Sequence, residues 1–463
     1  MLQKNEDFIG IVDGLGSKGE GVIHADGITF FVYGALYGEK VRCKVLTVKK
    51  NIGYAKLLEV LVPMDERVRP VCPAFGKCGG CQLQHMRYMS QLHFKSRQVA
   101  STLEKIGGIR YNVPLAVKSE NQYGYRNKLE IPIGKDARGN NAVGFYAERS
   151  HRIVPISECP IHPAWSKEII SAIYDFMDKC GIDGYDDETK TGTFRHVAVR
   201  EVSGNLLITV VVTDERIPGI GYLVKLLKDR FPSFSLYLNV NDADTNVVFG
   251  KKWIRIEGSG AYECREGGIV YPVSPQTFMQ VNGSVRKKLY DFVVRSVGER
   301  ECTVIDCYSG GGLLTAMLAQ RFGKAYGIEI VPEATQCADA LKQRNGLDGK
   351  MTNICGKVED VLPDLLKDLP GEKTIVLDPP RKGVDRSVIQ AVLASGVERV
   401  IMVSCNPATC ARDIGLLCGS LQEVNGELVK SENPGVYQIE SVTPFDMFPQ
   451  TKWVETVVIL SRQ

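Results

Sequence analysis

The stretch CTVIDCYSGGGLLTAMLAQRF runs from Cys302 to Phe322. It opens as an apolar run of strand length, turns on three glycines and continues with the composition of a helix. The same texture extends outward. KAYGIEIV, KTIVLDPP and RVIMVSCNP are further apolar runs, each followed by a helical stretch. Strand–turn–helix alternation predicts a doubly wound parallel α/β sheet, beginning after Gly267 and plain after Glu301. In such sheets ligands meet residues just past the strand ends. Asp306, Glu329, Asp378 and Cys405 occupy those positions.

A chain of 463 residues exceeds one ordinary core, so two or three domains are expected. With 44% hydrophobic and 24% charged residues it has a globular rather than a disordered composition. No apolar run reaches membrane-span length, and MLQKNEDFIG lacks the features of a signal peptide. A cytoplasmic protein without a membrane partner is expected, and we expect a monomer. Fourteen cysteines in a reducing compartment suggest metal binding, catalysis or burial rather than disulfides. The net charge of +3 does not announce a nucleic-acid partner. Between Gln84 and Arg110, however, Arg87, Lys95, Arg97, Lys105 and Arg110 stand against Glu104 alone, which suits either phosphates or a solvated helix face.

Residues 1–62 read as five short strands with glycine turns, which predicts a small β-barrel of the kind that binds nucleic acid. Residues 63–265 read as a central α+β domain, with a helix over 88–106 and another over 164–178. Residues 266–463 hold the doubly wound sheet. The expected architecture is multidomain in that order.

Cys72-x5-Cys78-Gly79-Gly80-Cys81 places three thiols in one glycine-rich loop, a spacing that points thiolates at one metal. Cys159 in ISECPIHP is the best fourth ligand, with His85 and His162 as rivals. Four thiolates suit either zinc or an iron–sulfur cluster. At the glycine turn, Glu329 is placed to accept ribose hydroxyls, and the turn lacks dinucleotide spacing. S-adenosylmethionine therefore suits the site better than a nicotinamide, with Asp306 near its amino group.

These residues resemble the S-adenosylmethionine-dependent RNA uridine C5-methyltransferases that modify bacterial 23S rRNA or the tRNA T-loop. GSKGEGVIHADGITFFVYGALYGEKV is similar to a TRAM domain, an RNA-binding barrel. CPAFGKCGGCQLQHM with Cys159 resembles the iron–sulfur loop of the rRNA members. SPQTFMQVN, DCYSGGG, GIEIV, LDPPRKG, SCNPATCARD and DMFPQTKWVETVVIL follow the family's catalytic motifs in order. The resemblance implies cofactor contacts from Gln280, Tyr308, Glu329 and Asp378. It implies Cys405 as nucleophile, Glu455 as base and a four-iron, four-sulfur cluster on Cys72, Cys78, Cys81 and Cys159, with zinc as the alternative. Two positions depart from the family: Leu313, where a polar residue is frequent, and Trp453, where histidine is common. The expected partner is 23S rRNA, with tRNA as the alternative. Arg126, Asn127, Lys128 and Arg195 are candidate RNA contacts or fold supports.

The implied chemistry suits these groups. Carbon 5 of uracil is a poor nucleophile until a thiolate adds at carbon 6, after which a carboxylate must remove the carbon 5 proton. Cytosine methylation is a rival, but cytosine enzymes carry Pro-Cys where this chain has Asp378-Pro379-Pro380-Arg381. Amino-group methylation is another, but there an aromatic residue follows Asp-Pro-Pro. A non-catalytic RNA-binding or iron–sulfur protein would have no need of both Cys405 and Glu455. Cys410 reads as a buried helix thiol.

Overall fold

The computed structural model describes residues 2–299, 301–431 and 435–463. Near the N-terminus, strands Asp7–Ile11, Gly14–Leu15, Gly21–Ala25, Ile28–Tyr33, Lys40–Lys49 and Ile52–Val62 form one six-stranded sheet. Period-two alternation explains it: Ile28, Phe30 and Val32 are buried, while Thr29, Phe31 and Tyr33 between them are only half-buried. The first run, read from sequence as one strand, is broken at Val12-Asp13. Its two pieces pair at opposite edges of the sheet, so one chain segment holds both edges.

A second sheet has seven strands, in the order Lys252–Glu257, Phe234–Val240, Asn205–Val212, Phe194–Val202, Lys128–Lys135, Asn141–Tyr146, Ile153–Pro155. Helices Trp165–Cys180 and Ile220–Arg230 share its core, where Ile173 and Phe176 meet Phe194, Val210 and Leu236. The first helix ends at Gly181, whose φ of 64° is left-handed. Arg195 is buried here. Its Nη1 donates to the carbonyls of Asn241 at 2.8 Å and Ala243 at 2.9 Å, so it supports the fold.

The third sheet carries the predicted alternation. Its order is Met351–Cys355, Ala325–Glu329, Thr303–Cys307, Lys373–Leu377, Arg399–Ser404, Glu455–Arg462, Tyr437–Phe445. The first five strands run parallel, Glu455–Arg462 runs antiparallel to Arg399–Ser404, and Tyr437–Phe445 runs antiparallel to Glu455–Arg462 in turn. Chain order runs outward from Thr303–Cys307 in one direction, then restarts beside it with Lys373–Leu377. The crevice expected at such a reversal lies between Asp306 and Asp378.

Helix Tyr88–Lys105 packs on helix Pro407–Leu417 of this third unit. Its Lys95 is wholly buried in an ion pair with Asp446, which also accepts from the Tyr88 hydroxyl at 2.7 Å. Gln91 and Gln450 exchange two hydrogen bonds of 3.0 Å. Lys95 therefore leaves the basic face proposed from sequence, because Asp446 neutralises it inside the interface. Among the described residues no helix is long and apolar enough to cross a membrane.

Candidate active site at the strand ends

Strand Thr303–Cys307 is buried throughout and delivers Asp306 to the crevice. Beyond it the chain turns through Tyr308 (φ 68°), Gly310 (φ 54°) and Gly312 (φ 81°). A Cβ on Gly312 would stand 2.7 Å from the Cβ of Ala338, so only glycine lets the next helix start this close to its neighbour. Gly310 and Gly311 face open space. The Asp306 carboxylate accepts from the Thr315 hydroxyl at 2.6 Å. Burial pushes its carboxyl up to about 7, and the Asp378 and Glu329 charges add to the rise. Burial also pushes Asp378, ending Lys373–Leu377, up to about 7.

A cavity of about 80 Å³ opens among Asp306, Tyr308, Gly310, Phe278, Tyr290 and Asp378. Tyr308 and Asp378 thus line the same cavity. Glu329 stands behind the turn: Oε2 accepts from the Gly310 amide and Oε1 from the Val331 amide, both at 2.9 Å. Each oxygen keeps a second acceptor direction. Gln280 is half-buried nearby, and its carbonyl accepts from Asn127 Nδ2 and Arg286 Nη1 at 3.3 Å. Tyr290 carried no signal in the sequence, since it sits mid-helix in an ordinary amphipathic pattern.

Strand Arg399–Ser404 delivers Cys405, half-buried at its tip. Asn406 then caps the next helix by accepting from the Ala408 amide at 3.1 Å, with Pro407 at its first position. The neighbouring strand pairs Thr456 with Ser404, so Cys405 and Glu455 lie one position beyond that pair, side by side. Glu455 is 3% exposed. Burial pushes its carboxyl up to about 8, with Asp378 adding and Arg381 opposing. Burial likewise raises the Cys405 thiol; Glu455 and Asp378 reinforce the rise and Arg381 counters it. Arg381 was thus a site residue present in the quoted LDPPRKG motif but not singled out. Cys410 lies in the core, its thiol pushed up to about 12 by burial.

Elsewhere, Cys72, Cys78, Cys81 and Cys159 line one cavity of about 290 Å³, with Arg126 and Lys128 on its wall. His162 also lines it, its Nε2 bonded to the Lys128 carbonyl at 3.0 Å, whereas His85 packs on Phe75 outside that lining. The expected ligand set is gathered around one space. It is not closed on a point: among the described residues no group of three or more Cys, His, Asp or Glu side chains is placed to hold a metal ion. The amides of Gln82 and Leu83 in this loop donate to the Gln450 carbonyl at 3.2 and 2.9 Å. The Lys452 amide donates to Gln82 Oε1 at 3.3 Å, so the cysteine loop is fastened to the turn before Glu455.

The model of the tRNA (uracil-5-)-methyltransferase family matches residues 365–463, which include Asp378, Cys405 and Glu455. An uncharacterized RNA methyltransferase of Clostridium acetobutylicum is 34% identical over 470 residues, covering 100% of this chain and 98% of its own. One from Listeria innocua is 36% identical over 466 residues, covering 100% and 99%. The chain belongs to the S-adenosylmethionine-dependent RNA uridine C5-methyltransferase family. The methyltransferase also shares its fold with the Pyrococcus abyssi tRNA (uracil-54, C5)-methyltransferase solved with S-adenosyl-L-homocysteine. That likeness has a TM-score of 0.76, 24% identity, and covers 98% of this chain and 99% of the other.

Proposed function

We propose that this methyltransferase methylates carbon 5 of a uridine in 23S rRNA, with Cys405 adding to carbon 6 and Glu455 removing the carbon 5 proton. The observation that carries the reading is the register that sets Cys405 beside Glu455, with the Asp306–Asp378 crevice adjoining. When bound, S-adenosylmethionine supplies an electrophilic methyl group. Tyr308 and Asp378 would hold it at the crevice, with Gln280 nearby and the free acceptor directions of Glu329 toward its ribose. The donor set fits: three carboxyls beside an open glycine turn favour a cationic ligand. Asn406 and Pro407 stop the strand and hold the Cys405 thiol at its tip.

The six-stranded sheet of residues 1–62 would act as a TRAM-like RNA-binding β-barrel. Residues 63–265 would form the central domain and 266–463 the catalytic one, in a cytoplasmic monomer. Because the target base must leave its stack, flanking RNA needs such a holding surface. Cys72, Cys78, Cys81 and Cys159 would hold a four-iron, four-sulfur cluster in a structural role. Protein purified without oxygen is then expected to be brown and to contain iron and sulfide; colourless protein with stoichiometric zinc would refute the cluster. Mapping 5-methyluridine in RNA from cells with and without the gene tests the target. Loss from 23S rRNA supports the reading, whereas loss from tRNA alone overturns that target.

Ligand binding should also move protons. Asp306 and Asp378, both pushed up to about 7, are partly protonated at neutral pH in the free enzyme. A sulfonium and an ammonium group beside them favour the ionised forms, so binding at pH 7 should release up to about one proton. Calorimetry in two buffers of different ionisation enthalpy measures this, and identical apparent enthalpies would count against it. The same raised values, with Glu455 at about 8, set a sign for stability. The contribution is complete below about pH 4, where these carboxyls are protonated in both states, and it is lost progressively as pH rises from there through 7 to 8 in ligand-free protein.

A further inference from the structure

Trp453 stands two residues before Glu455 and is 38% exposed. The Arg381 guanidinium carbon lies 4.8 Å from the centre of its ring, and the Lys452 ammonium 5.0 Å. Indole is the best cation-binding face among the side chains. Arg381 is also held at its backbone, where its carbonyl accepts from Asn406 Nδ2 at 2.9 Å and from the Thr409 hydroxyl at 3.4 Å. Asn406 follows Cys405 directly. Arg381 is therefore gripped at one end by the residue after the thiol and at the other by a residue next to the carboxylate strand. The charged groups acting on Cys405 are the Glu455 and Asp378 carboxylates and this one guanidinium.

We propose that Trp453 is a positioning residue for the thiol attack: its ring holds the Arg381 guanidinium where its charge acts on Cys405 and so favours the thiolate against two neighbouring carboxylates. The inference rests on the reading of Cys405 as the nucleophile. The physical reason is geometric. The Arg381 residue is exposed, and without a ring to lie on its long side chain spreads over many rotamers. Its average distance from the sulfur then grows, and its field at the sulfur weakens with that distance. A histidine at the Trp453 position, protonated or not, would present a smaller face to the guanidinium.

The test reads Cys405 directly, in the full-length protein without RNA. Iodoacetamide alkylation is followed across pH by the mass of the peptide that contains Cys405. Trp453→Ala is expected to raise the midpoint by about half to one pH unit, or about three- to tenfold slower alkylation below it. Trp453→Phe, which keeps an aromatic face, should recover most of the shift. Arg381→Gln should raise the midpoint as well, and adding Trp453→Ala on that background should raise it no further. An unmoved midpoint in Trp453→Ala overturns the proposal, as does a double variant whose shift is the sum of the two. Failure of the nucleophile reading would show separately, as wild-type protein that forms no adduct with 5-fluorouridine RNA.

Discussion

Cys405→Ala protein, incubated with S-adenosylmethionine and RNA containing 5-fluorouridine, is expected to form no adduct that survives denaturation. Wild-type protein and Cys410→Ala should both form one. Fluorine at carbon 5 cannot be removed as a proton, so a thiol that has added to carbon 6 stays attached. Trapping thus reports which sulfur attacks, independently of turnover. Turnover on ordinary RNA should fall by about 10⁴-fold or more in Cys405→Ala, the scale on which enzymes lose a nucleophile.

The contrast between the two cysteines rests on their surroundings. Cys405 is half-buried at the tip of strand Arg399–Ser404, beside Glu455 and within the field of Arg381. Cys410 belongs to the same buried core cluster as Val388, Val400 and Ile414, its thiol pushed up to about 12 through burial. A buried neutral thiol of that kind is inert. Adduct formation that persists in Cys405→Ala, or that vanishes in Cys410→Ala with the fold intact, would overturn the assignment.

Much of the catalytic sheet was legible because its signals are local. A strand-length apolar run followed by a glycine turn placed Asp306, and the same logic placed Glu329, Asp378 and Cys405 at strand tips. All four stand at or just past the ends of parallel strands. The antiparallel return of Glu455–Arg462 beside Arg399–Ser404 then brings Glu455 to Cys405, a pairing no local pattern announces. Glu329 shows a second limit. Its position was readable, but its hold on the Gly310 amide depends on how a turn folds back across two strands.

Long-range polar contacts were the least legible. Lys95 looked like one charge among several on a solvated helix, yet it is buried against Asp446, 351 residues away. The helix that carries it packs on helix Pro407–Leu417 of the catalytic unit, and Tyr88, Gln91 and Lys95 find their partners in the turn from Asp446 to Gln450. Removing one partner from a buried ion pair typically costs about 3–5 kcal/mol, so this turn is held firmly. The cysteine loop joins the same turn through Gln82 and Leu83. The cysteine loop and helix Tyr88–Lys105 thus both brace the segment that leads into Trp453 and Glu455.

Glu455→Gln is expected to separate attack from release. The amide is nearly isosteric and leaves Cys405 in place, so addition to carbon 6 and methyl transfer should proceed. Proton removal from carbon 5 should slow by about 10²–10⁴-fold, the usual worth of a positioned base. A methylated covalent complex should therefore accumulate on ordinary uridine RNA, where wild-type protein shows little. The pH profile adds an independent check. Burial and the Asp378 charge push the Glu455 carboxyl up to about 8, so its basic form gains population between pH 7 and 9. Wild-type activity should rise across that interval, and a cationic ligand beside Asp378 should move the rise to lower pH. Glu455→Gln should lose the component of the profile that belongs to this carboxyl and keep the component from the Cys405 thiol. Unchanged turnover, or slow turnover with no accumulated complex, would remove Glu455 from the role of base.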